Sequence, residues 1–300
     1  MKTFDCEPTL TDREVIRFCR DGYYELPEAV DKETCQHILD FLKDNPNDHN
    51  QPSALLSEKW FVERLLCNGP TAGAVRSLLG ANFILPPVMA NHPGPCPEAS
   101  PLGWHVDGAN MHTFALNYLQ VFCLPQETTL EMGPTELIPG SHFLLGQSAL
   151  VGHYGVIRGA KKCVGPAGTV FITCYPIWHR RLKATSIGNI RHLLKYNYLR
   201  NTAPVRDWIV EDNFDPARQT SEFSHLNAGA PYMRRNILDC YDAARMYLWL
   251  CGLEEEYRYI GGHAWPMPLS EELQSNEDAY AAPPSLTSTK AAFRPIAPLI

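Results

Sequence analysis

A histidine and an aspartate stand two residues apart in the segment GWHVDGAN (103–110). In an extended strand, residues i and i+2 point to the same face. The side chains of His105 and Asp107 can therefore converge on one point, and an imidazole beside a carboxylate favours a metal ion there. The alternative is a strand end that turns at Asp107-Gly108 with a histidine facing solvent, and this short spacing alone does not separate the two.

A mononuclear metal site needs at least one more ligand, which should come from a distant strand. His179 fits because it shortly follows the strand-like run GTVFITCY (168–175). Two histidines and one carboxylate occupy one face of an octahedral metal and leave three positions open, which suits non-haem Fe(II) that activates O2. The other candidates lack a carboxylate at a matching spacing and are expected at the surface or behind the ligands: His92, His112, His142, His153, His192, His225 and His263.

The open metal positions predict an organic co-substrate with carboxylate groups, and a buried carboxylate needs a cation. Arg191 lies twelve residues after His179, on the next predicted strand, RHLLKYNYL (191–199). If that strand is an antiparallel neighbour, the guanidinium returns beside His179 and can form a bidentate pair with a carboxylate beyond the metal. Considered alone, Arg191 fits a surface arginine better than a binding residue. Considered together with the three predicted ligands, it is favoured as the residue that binds the co-substrate carboxylate.

Helices are predicted in the first eighty residues. A capping box at Thr11–Glu14 opens a helix that stops near Gly22. Asp31 caps a second helix, whose apolar residues follow the spacing i, i+3, i+4, i+7. Two further helical segments are predicted at 58–67 and 71–79.

From residue 81 the chain favours strands. Short runs rich in β-branched and aromatic residues alternate with Gly/Pro turns, without long helices between them. This pattern is typical of an antiparallel sandwich or barrel. The predicted strands are 82–90, 113–124, 135–138, 169–175 and 191–199.

The last third of the chain is less regular. The stretch 201–234 precedes a predicted helix at 235–251 with an apolar stripe. That stripe must pack either beside the N-terminal helices or on the same helix of a second subunit. In the first case, 201–234 would cross near the barrel mouth as a lid. The tail 281–300 is rich in Pro, Ser and Ala.

Charge and composition exclude several classes of partner. The net charge is −7 and no long Lys/Arg-rich run is present, which argues against nucleic acid or an anionic membrane. No apolar segment is long enough to span a bilayer, and the first residues lack the apolar core of a secretory signal. Ten cysteines form no CxxC pair and sit singly, most of them in apolar stretches, as buried thiols of a reducing compartment do. We therefore expect a cytoplasmic protein with a small-molecule substrate.

Four segments, taken in order, resemble the phytanoyl-CoA dioxygenase family of Fe(II)/2-oxoglutarate oxygenases. They are WHVDG (104–108), LQVFCLPQETTLEMGPTELIPGSH (119–142), GTVFITCYPIWHRR (168–181) and NIRHLLKYNYL (189–199). The resemblance covers about residues 12–200. Its most specific parts are the GPTELIPGSH segment and the spacing from His179 to Arg191.

The resemblance implies a role for six residues. His105, Asp107 and His179 would be the iron ligands, and Arg191 would hold the far carboxylate of 2-oxoglutarate. Thr135 would help to hold the co-substrate through its hydroxyl. The side chain of Gln120 would point into the barrel from a central strand, near the co-substrate or the substrate. The presence of Asp107 argues against halogenation, because related halogenases lack this carboxylate so that chloride can bind iron.

The resemblance also implies the architecture. The fold would be mainly β with flanking helices, built on a double-stranded β-helix, a cupin-like jelly roll. We expect one oxygenase domain over 1–300, divided into N-terminal helices (1–80), a jelly-roll core (81–200), a C-terminal lid or helical extension (201–280) and a Pro-rich tail (281–300). Many family members carry Asn-Gly where this chain has Met132-Gly133, and some carry a polar residue in place of Leu102; both departures leave the metal ligands intact.

These observations predict a 2-oxoglutarate-dependent dioxygenase. It would use Fe(II), 2-oxoglutarate and O2 to hydroxylate, desaturate or cyclise a small organic metabolite, as in secondary metabolism, with release of succinate and CO2. Two alternatives stay open: a non-catalytic jelly roll that binds a metal or small molecule, and a zinc hydrolase, for which no glutamate is obviously placed as general base. No basic patch indicates a CoA ester as substrate, and either a monomer or a homodimer is expected.

Overall fold

The computed structural model describes residues 1–46, 54–98, 101–107, 113–144, 153–212, 214 and 242–253. These residues group into two compact units. The first consists of Met1–Thr9 and Asp21–Thr202, and the second of Leu10–Arg20 with the described residues from Ala203 onward. The tail 281–300, most of the predicted lid 201–234 and the start of the predicted 235–251 helix lie outside the described residues. No helix in the described ranges is long and apolar enough to cross a bilayer.

The first two predicted helices are confirmed together with their caps. In front of α1 (Asp12–Asp21), the Thr11 N–H donates to the Glu14 carboxylate at 2.9 Å. The Glu14 N–H returns a longer contact to the Thr11 hydroxyl at 3.4 Å, which completes the capping box. α2 (Lys32–Asp44) begins where the Asp31 carboxylate accepts the Thr34 N–H at 2.8 Å.

The other two predicted helical segments are also present. A short α3 (Lys59–Phe61) continues directly as one turn of π-helix, Val62–Leu66. α4 (Gly69–Leu79) ends at Gly80, whose φ of 79° lies in the left-handed region that glycine adopts at low cost.

Antiparallel strands fill the rest of the first unit. In chain order they are β1 (Thr3–Phe4), β2 (Tyr23–Leu26), β3 (Phe83–Ile84), β4 (Met89–Asn91), β5 (Gly94–Glu98), β6 (Tyr118–Cys123), β7 (Thr135–Leu137), β8 (Lys161–Lys162), β9 (Val170–Cys174), β10 (His179–Arg181), β11 (Ala184–Arg191) and β12 (Leu194–Leu199). The largest sheet has seven strands in the order β1-β3-β12-β6-β9-β2, with β4 also paired to β12. The smaller sheets are β10-β7-β8 and β11-β5.

A shared apolar core joins the main sheet to the three-stranded sheet. Phe122 on β6 and Phe171 on β9 are fully buried and pack in one cluster with Leu137 on β7. Burying such side chains stabilises a fold by about 1.5–3 kcal/mol each. Antiparallel sheets with flanking helices are thus confirmed, but the sheets of the described residues do not close into a single jelly roll.

The strand predicted at 191–199 is divided in two, contrary to expectation. Arg191 is the last residue of β11, and β12 begins only at Leu194. The reason is that the two strands have different partners. β11 pairs with β5 in a separate sheet, whereas β12 pairs with β6 in the main sheet. The prediction that Arg191 begins the strand beside that of His179 is therefore wrong, since β10 pairs with β7.

The second unit is organised around a buried carboxylate. Asp12 has no exposed surface and accepts hydrogen bonds from Arg206 Nε at 2.8 Å, Trp208 Nε1 at 2.7 Å, Tyr247 Oη at 2.6 Å and the Glu211 N–H at 2.6 Å. Tyr247 belongs to a helical segment at 242–250, so this part of the predicted 235–251 helix packs on α1 within the unit. A buried charge needs such partners, because removing it from water is costly.

Candidate metal centre

Two of the predicted ligands are placed by one backbone contact. The His105 N–H donates to the His179 carbonyl at 3.0 Å, and the His179 N–H donates to the His105 carbonyl at 2.9 Å. This reciprocal pair sets the two residues directly opposite each other, with the ring centroids 4.5 Å apart. The relative position of the two imidazoles is thus set by the main chain at the start of β10.

Each imidazole is oriented by a carbonyl two residues earlier in the chain. His105 Nδ1 lies 2.9 Å from the Gly103 carbonyl oxygen, and His179 Nδ1 lies 3.0 Å from that of Ile177. A carbonyl oxygen only accepts, so each Nδ1 carries the proton and each Nε2 keeps a free lone pair. This is the tautomer in which a histidine binds a metal through Nε2.

Asp107 completes the set. Its carboxylate oxygens lie 3.9 Å from His105 Nε2 and 3.7 Å from His179 Nε2. One ligand atom from each of the three residues lies within 4.8 Å of the other two. Two imidazole nitrogens and one carboxylate oxygen that converge in this way fit a divalent transition metal with open coordination positions.

The protonation states of the site also favour a metal. Burial alone would raise the pKa of Asp107, but the nearby Lys195 ammonium, His179 and a hydrogen bond from Gln120 lower this pKa to about 2. Burial lowers the pKa of His179 to about 3, and the charge of Lys195 contributes to this shift. At neutral pH the site therefore offers an ionised carboxylate and a neutral imidazole, the forms that bind metals.

Gln120 contacts Asp107, and its predicted contact with a co-substrate or substrate stays a prediction. It is buried in the middle of β6 and donates from Nε2 to Asp107 Oδ2 at 2.7 Å. Its other amide atom, Oε1, is buried and has no hydrogen-bond partner among the described residues. Gln120 therefore orients the metal-binding carboxylate and presents a free acceptor on the same side of the sheet.

Thr135 is buried at the start of β7, opposite Arg181 of β10. Two positions further along the same ladder, Leu137 faces His179. Because positions two apart share a face of a strand, Thr135 lies on the side of β7 that carries Leu137 into the core. Its predicted contact with a co-substrate stays a prediction.

Arg191 is buried and has unpaired guanidinium nitrogens. The residue is 2% exposed, and neither Nε nor Nη1 has a hydrogen-bond partner among the described residues. Burial lowers the pKa of Arg191 to about 10, still far above neutral, so the side chain stays charged. An uncompensated buried charge is costly, so this guanidinium is ready to receive an anion.

Lys195 is a site residue that sequence reasoning missed. Its ammonium forms an ion pair with Asp107 Oδ2 and lies 3.1 Å from His179 Nε2. It is carried by β12, where Leu194, Tyr196 and Tyr198 are buried on the opposite face. The available signal was the alternation in the strand LKYNYL. It places Lys195 and Asn197 on the face opposite the apolar residues.

Sequence reasoning also missed a second group of residues, which contacts the chain segments of His105 and His179. Arg180, next to His179, donates from Nε to the Glu136 carboxylate at 2.6 Å, and both side chains are buried. The Arg180 guanidinium also lies over the ring of Trp104, 4.5 Å from its centroid. Because Trp104 precedes His105, this cluster links the two chain segments that carry the histidine ligands.

Comparison with known families and curated proteins gives no match: no family model fits this sequence, and no curated protein is significantly similar. Similarity is found among solved structures. The epimerase SnoN in complex with Fe3+, α-ketoglutarate and nogalamycin RO is 18% identical, with a TM-score of 0.51 over 63% of this chain and 83% of that chain. HygX from Streptomyces hygroscopicus with nickel and 2-oxoglutarate bound is 14% identical, with a TM-score of 0.52 over 67% of this chain and 90% of that chain.

A third structure gives the same picture. EctD from S. alaskensis with 2-oxoglutarate and 5-hydroxyectoine is 18% identical, with a TM-score of 0.51 over 66% of this chain and 79% of that chain. At these identities the similarity is one of fold. The resemblance to the phytanoyl-CoA dioxygenase family that the motifs indicate is thereby confirmed as a likeness of fold to iron/2-oxoglutarate enzymes of that kind.

Proposed function

We propose that this protein is an Fe(II)- and 2-oxoglutarate-dependent dioxygenase that oxidises a small organic metabolite. The observation that carries the proposal is the convergence of His105, Asp107 and His179, with each Nε2 left unprotonated by a hydrogen bond from Nδ1 to a carbonyl. The fold shared with SnoN, HygX and EctD supports it. A double-stranded β-helix is the arrangement we propose for the complete core.

The three ligands would hold the iron on one face and leave three coordination positions open. When bound, iron with 2-oxoglutarate and O2 supplies the oxidation of a C–H bond to C–OH, while 2-oxoglutarate is converted to succinate and CO2. Desaturation or ring closure of the substrate is the alternative outcome of the same oxidation. The protein contributes binding, orientation and the exclusion of water.

Arg191 would pair with the far carboxylate of 2-oxoglutarate. Its burial and its unpaired nitrogens give the guanidinium a strong preference for an anion. Gln120 would keep the Asp107 carboxylate turned toward the metal, and its free Oε1 would accept a hydrogen bond from a bound molecule. Thr135 would contribute its hydroxyl to the co-substrate from β7.

The substrate we propose is a small organic metabolite of secondary metabolism. The net charge of −7 gives no reason to expect a nucleic acid or a CoA ester. One structure of similar fold is described as an epimerase of nogalamycin biosynthesis, which supports a substrate of this kind. A cytoplasmic monomer or homodimer is the form in which we propose that the enzyme acts.

The deciding experiment is succinate formation by the purified protein with Fe(II), 2-oxoglutarate and O2. We expect slow succinate release without a prime substrate and faster release in a metabolite extract. The product should gain one oxygen atom or lose two hydrogens by mass spectrometry. Tight binding of 2-oxoglutarate without succinate formation in any extract would instead indicate a non-catalytic binding protein, and hydrolysis supported by Zn2+ alone would indicate a hydrolase.

A further inference from the structure

Lys195 stands on a strand whose backbone is fixed from both sides. In the ladders of the main sheet, Lys195 is opposite Phe122 of β6 and opposite Ala90 of β4. Its side chain crosses the Phe122 ring, with Nζ 5.4 Å from the ring centroid, and is only 13% exposed. The position of its Cα is therefore set by the sheet, and only the flexible side chain can move the ammonium.

The ammonium contacts the same atoms that a metal would use. It pairs with Asp107 Oδ2, and it lies 3.1 Å from His179 Nε2. That nitrogen carries a lone pair because the proton is on Nδ1, which donates a hydrogen bond to the Ile177 carbonyl, so Lys195 is the donor to Nε2. The positive charge of Lys195 thus lies between Asp107 and His179, two of the three candidate ligands.

A divalent metal and this ammonium cannot share both atoms. Like charges a few ångströms apart repel strongly in a partly dry site, and each lone pair serves one strong partner. Metal binding must therefore displace Nζ, while β12 keeps the stem beside the metal. The displaced ammonium would stay on a largely buried side chain and would need an anionic partner.

We propose that Lys195 is a displaceable internal cation: its ammonium competes with a metal for Asp107 and His179, and once displaced it would donate to a carboxylate of the 2-oxo acid. This rests on the proposed function and deepens it. Lys195 would bind the co-substrate directly, and it would weaken metal binding while strengthening co-substrate binding. Occupancy by 2-oxoglutarate would then also stabilise the metal, since such coupling is reciprocal.

The proposal predicts effects of opposite sign in one variant. In Lys195→Met, which keeps the stem over Phe122, Ni2+ should bind about tenfold more tightly because its competitor is gone. Binding of 2-oxoglutarate to the Ni2+-loaded protein should weaken by roughly ten- to a hundredfold, the usual effect of losing one hydrogen bond to a charged group. Both affinities are measured by isothermal titration calorimetry.

Lys161→Met is a matched control. Lys161 also pairs with a carboxylate, that of Glu25, and lies over an aromatic ring, 5.7 Å from the centroid of Phe171. It should change neither affinity. Lys195→Gln repeats the test should Lys195→Met not fold, with the same two expected shifts.

Three outcomes overturn the inference. They are unchanged or weaker Ni2+ binding by both Lys195 variants, unchanged 2-oxoglutarate binding by both, or equal shifts in Lys161→Met. A failure of the proposed function looks different, because the wild-type protein itself would then bind neither Ni2+ nor 2-oxoglutarate. Wild-type binding combined with unaltered Lys195 variants rejects the role of Lys195 alone.

Discussion

His179 Nε2 lies 3.7 Å from Asp107 Oδ2, a separation that one metal ion can bridge. Two ligand atoms that are each about 2.1 Å from a metal lie about 3.0 Å apart in octahedral sites and about 3.4 Å apart in tetrahedral sites, slightly closer than these two atoms. Both atoms already point toward this gap, because Ile177 orients the imidazole and Gln120 orients the carboxylate. A shift of a few tenths of an ångström in these side chains would bring both atoms to metal-ligand separation.

Replacing Asp107 or His179 should strongly weaken metal binding without unfolding the protein. We expect Asp107→Ala and His179→Ala to weaken Ni2+ binding by more than about a hundredfold, since even loss of an outer partner of a ligand costs about ten- to a hundredfold. Isothermal titration calorimetry measures the affinity, and thermal melting checks the fold. His153→Ala, at an exposed histidine, is the control. A wild-type Ni2+ affinity in Asp107→Ala would contradict the assignment of the centre.

Arg191 should control the affinity for 2-oxoglutarate. Arg191→Ala removes a buried guanidinium, and losing the partner of a desolvated carboxylate costs on the order of 2–5 kcal/mol. The dissociation constant of 2-oxoglutarate for the Ni2+-loaded protein should rise accordingly, with Ni2+ binding itself unchanged. Arg158→Ala, at an exposed arginine, should have no effect. An unaltered dissociation constant in Arg191→Ala would place the co-substrate clamp elsewhere.

Gly94 should influence the same step through Arg191. A Cβ at position 94 would lie 3.2 Å from Arg191 Nη2 and 3.3 Å from Nε, closer than normal packing allows. Gly94→Ala should therefore shift the guanidinium and weaken 2-oxoglutarate binding, though less than Arg191→Ala does. Gly155→Ala adds a methyl group into open space and is the control. Equal 2-oxoglutarate affinities for the two alanine variants would show that the fit of Arg191 against β5 is unimportant.

Asp12 should give the second unit a pH-dependent stability. Burial alone would raise the pKa of Asp12, but hydrogen bonds from Arg206, Tyr247, Glu211 and Trp208 hold it below its ordinary value of 3.8. A lowered pKa means that the carboxylate stabilises the fold above pH 3.8 and loses this contribution as the pH falls through the folded value. Asp12→Asn should cost about 3–5 kcal/mol in the free energy of unfolding at pH 7.

Chemical denaturation at several pH values tests this prediction. The difference between wild type and Asp12→Asn should be constant near neutral pH and should shrink below pH 3.8. Asp40→Asn, at a surface carboxylate of α2 that contacts Gln36, is the comparison and should cost far less. A difference that grows on acidification would mean that the carboxylate of Asp12 does not supply the stability.

Sequence reasoning reached the three residues of the candidate metal centre largely through local rules. The i, i+2 alternation of an extended chain brings His105 and Asp107 to one face, and His179 follows a recognisable strand. The helix caps at Thr11 and Asp31 were equally local. Short-range geometry of this kind is encoded by neighbouring residues, whereas the pairing of His179 with His105 is long-range and is shown only by the structure.

The remaining features depend on long-range pairing. Lys195 reads as a solvent-facing charge in a strand until the register with β6 shows which face of β12 is the interior. The division of 191–199 follows from the pairing of β11 with β5, which the neighbouring residues in the sequence do not predict. The role of Asp12 likewise depends on Arg206, 194 residues away in the chain.

The bonds from the histidine Nδ1 atoms to Gly103 and Ile177 have a consequence for how such a protein can diverge. Each imidazole receives its tautomer and its direction from its own loop, so neither depends on a distant side chain. Side chains such as Lys195 and Thr135 can then be exchanged without changing the tautomer of either histidine. The two imidazoles therefore keep the form that binds a metal while the side chains around them change.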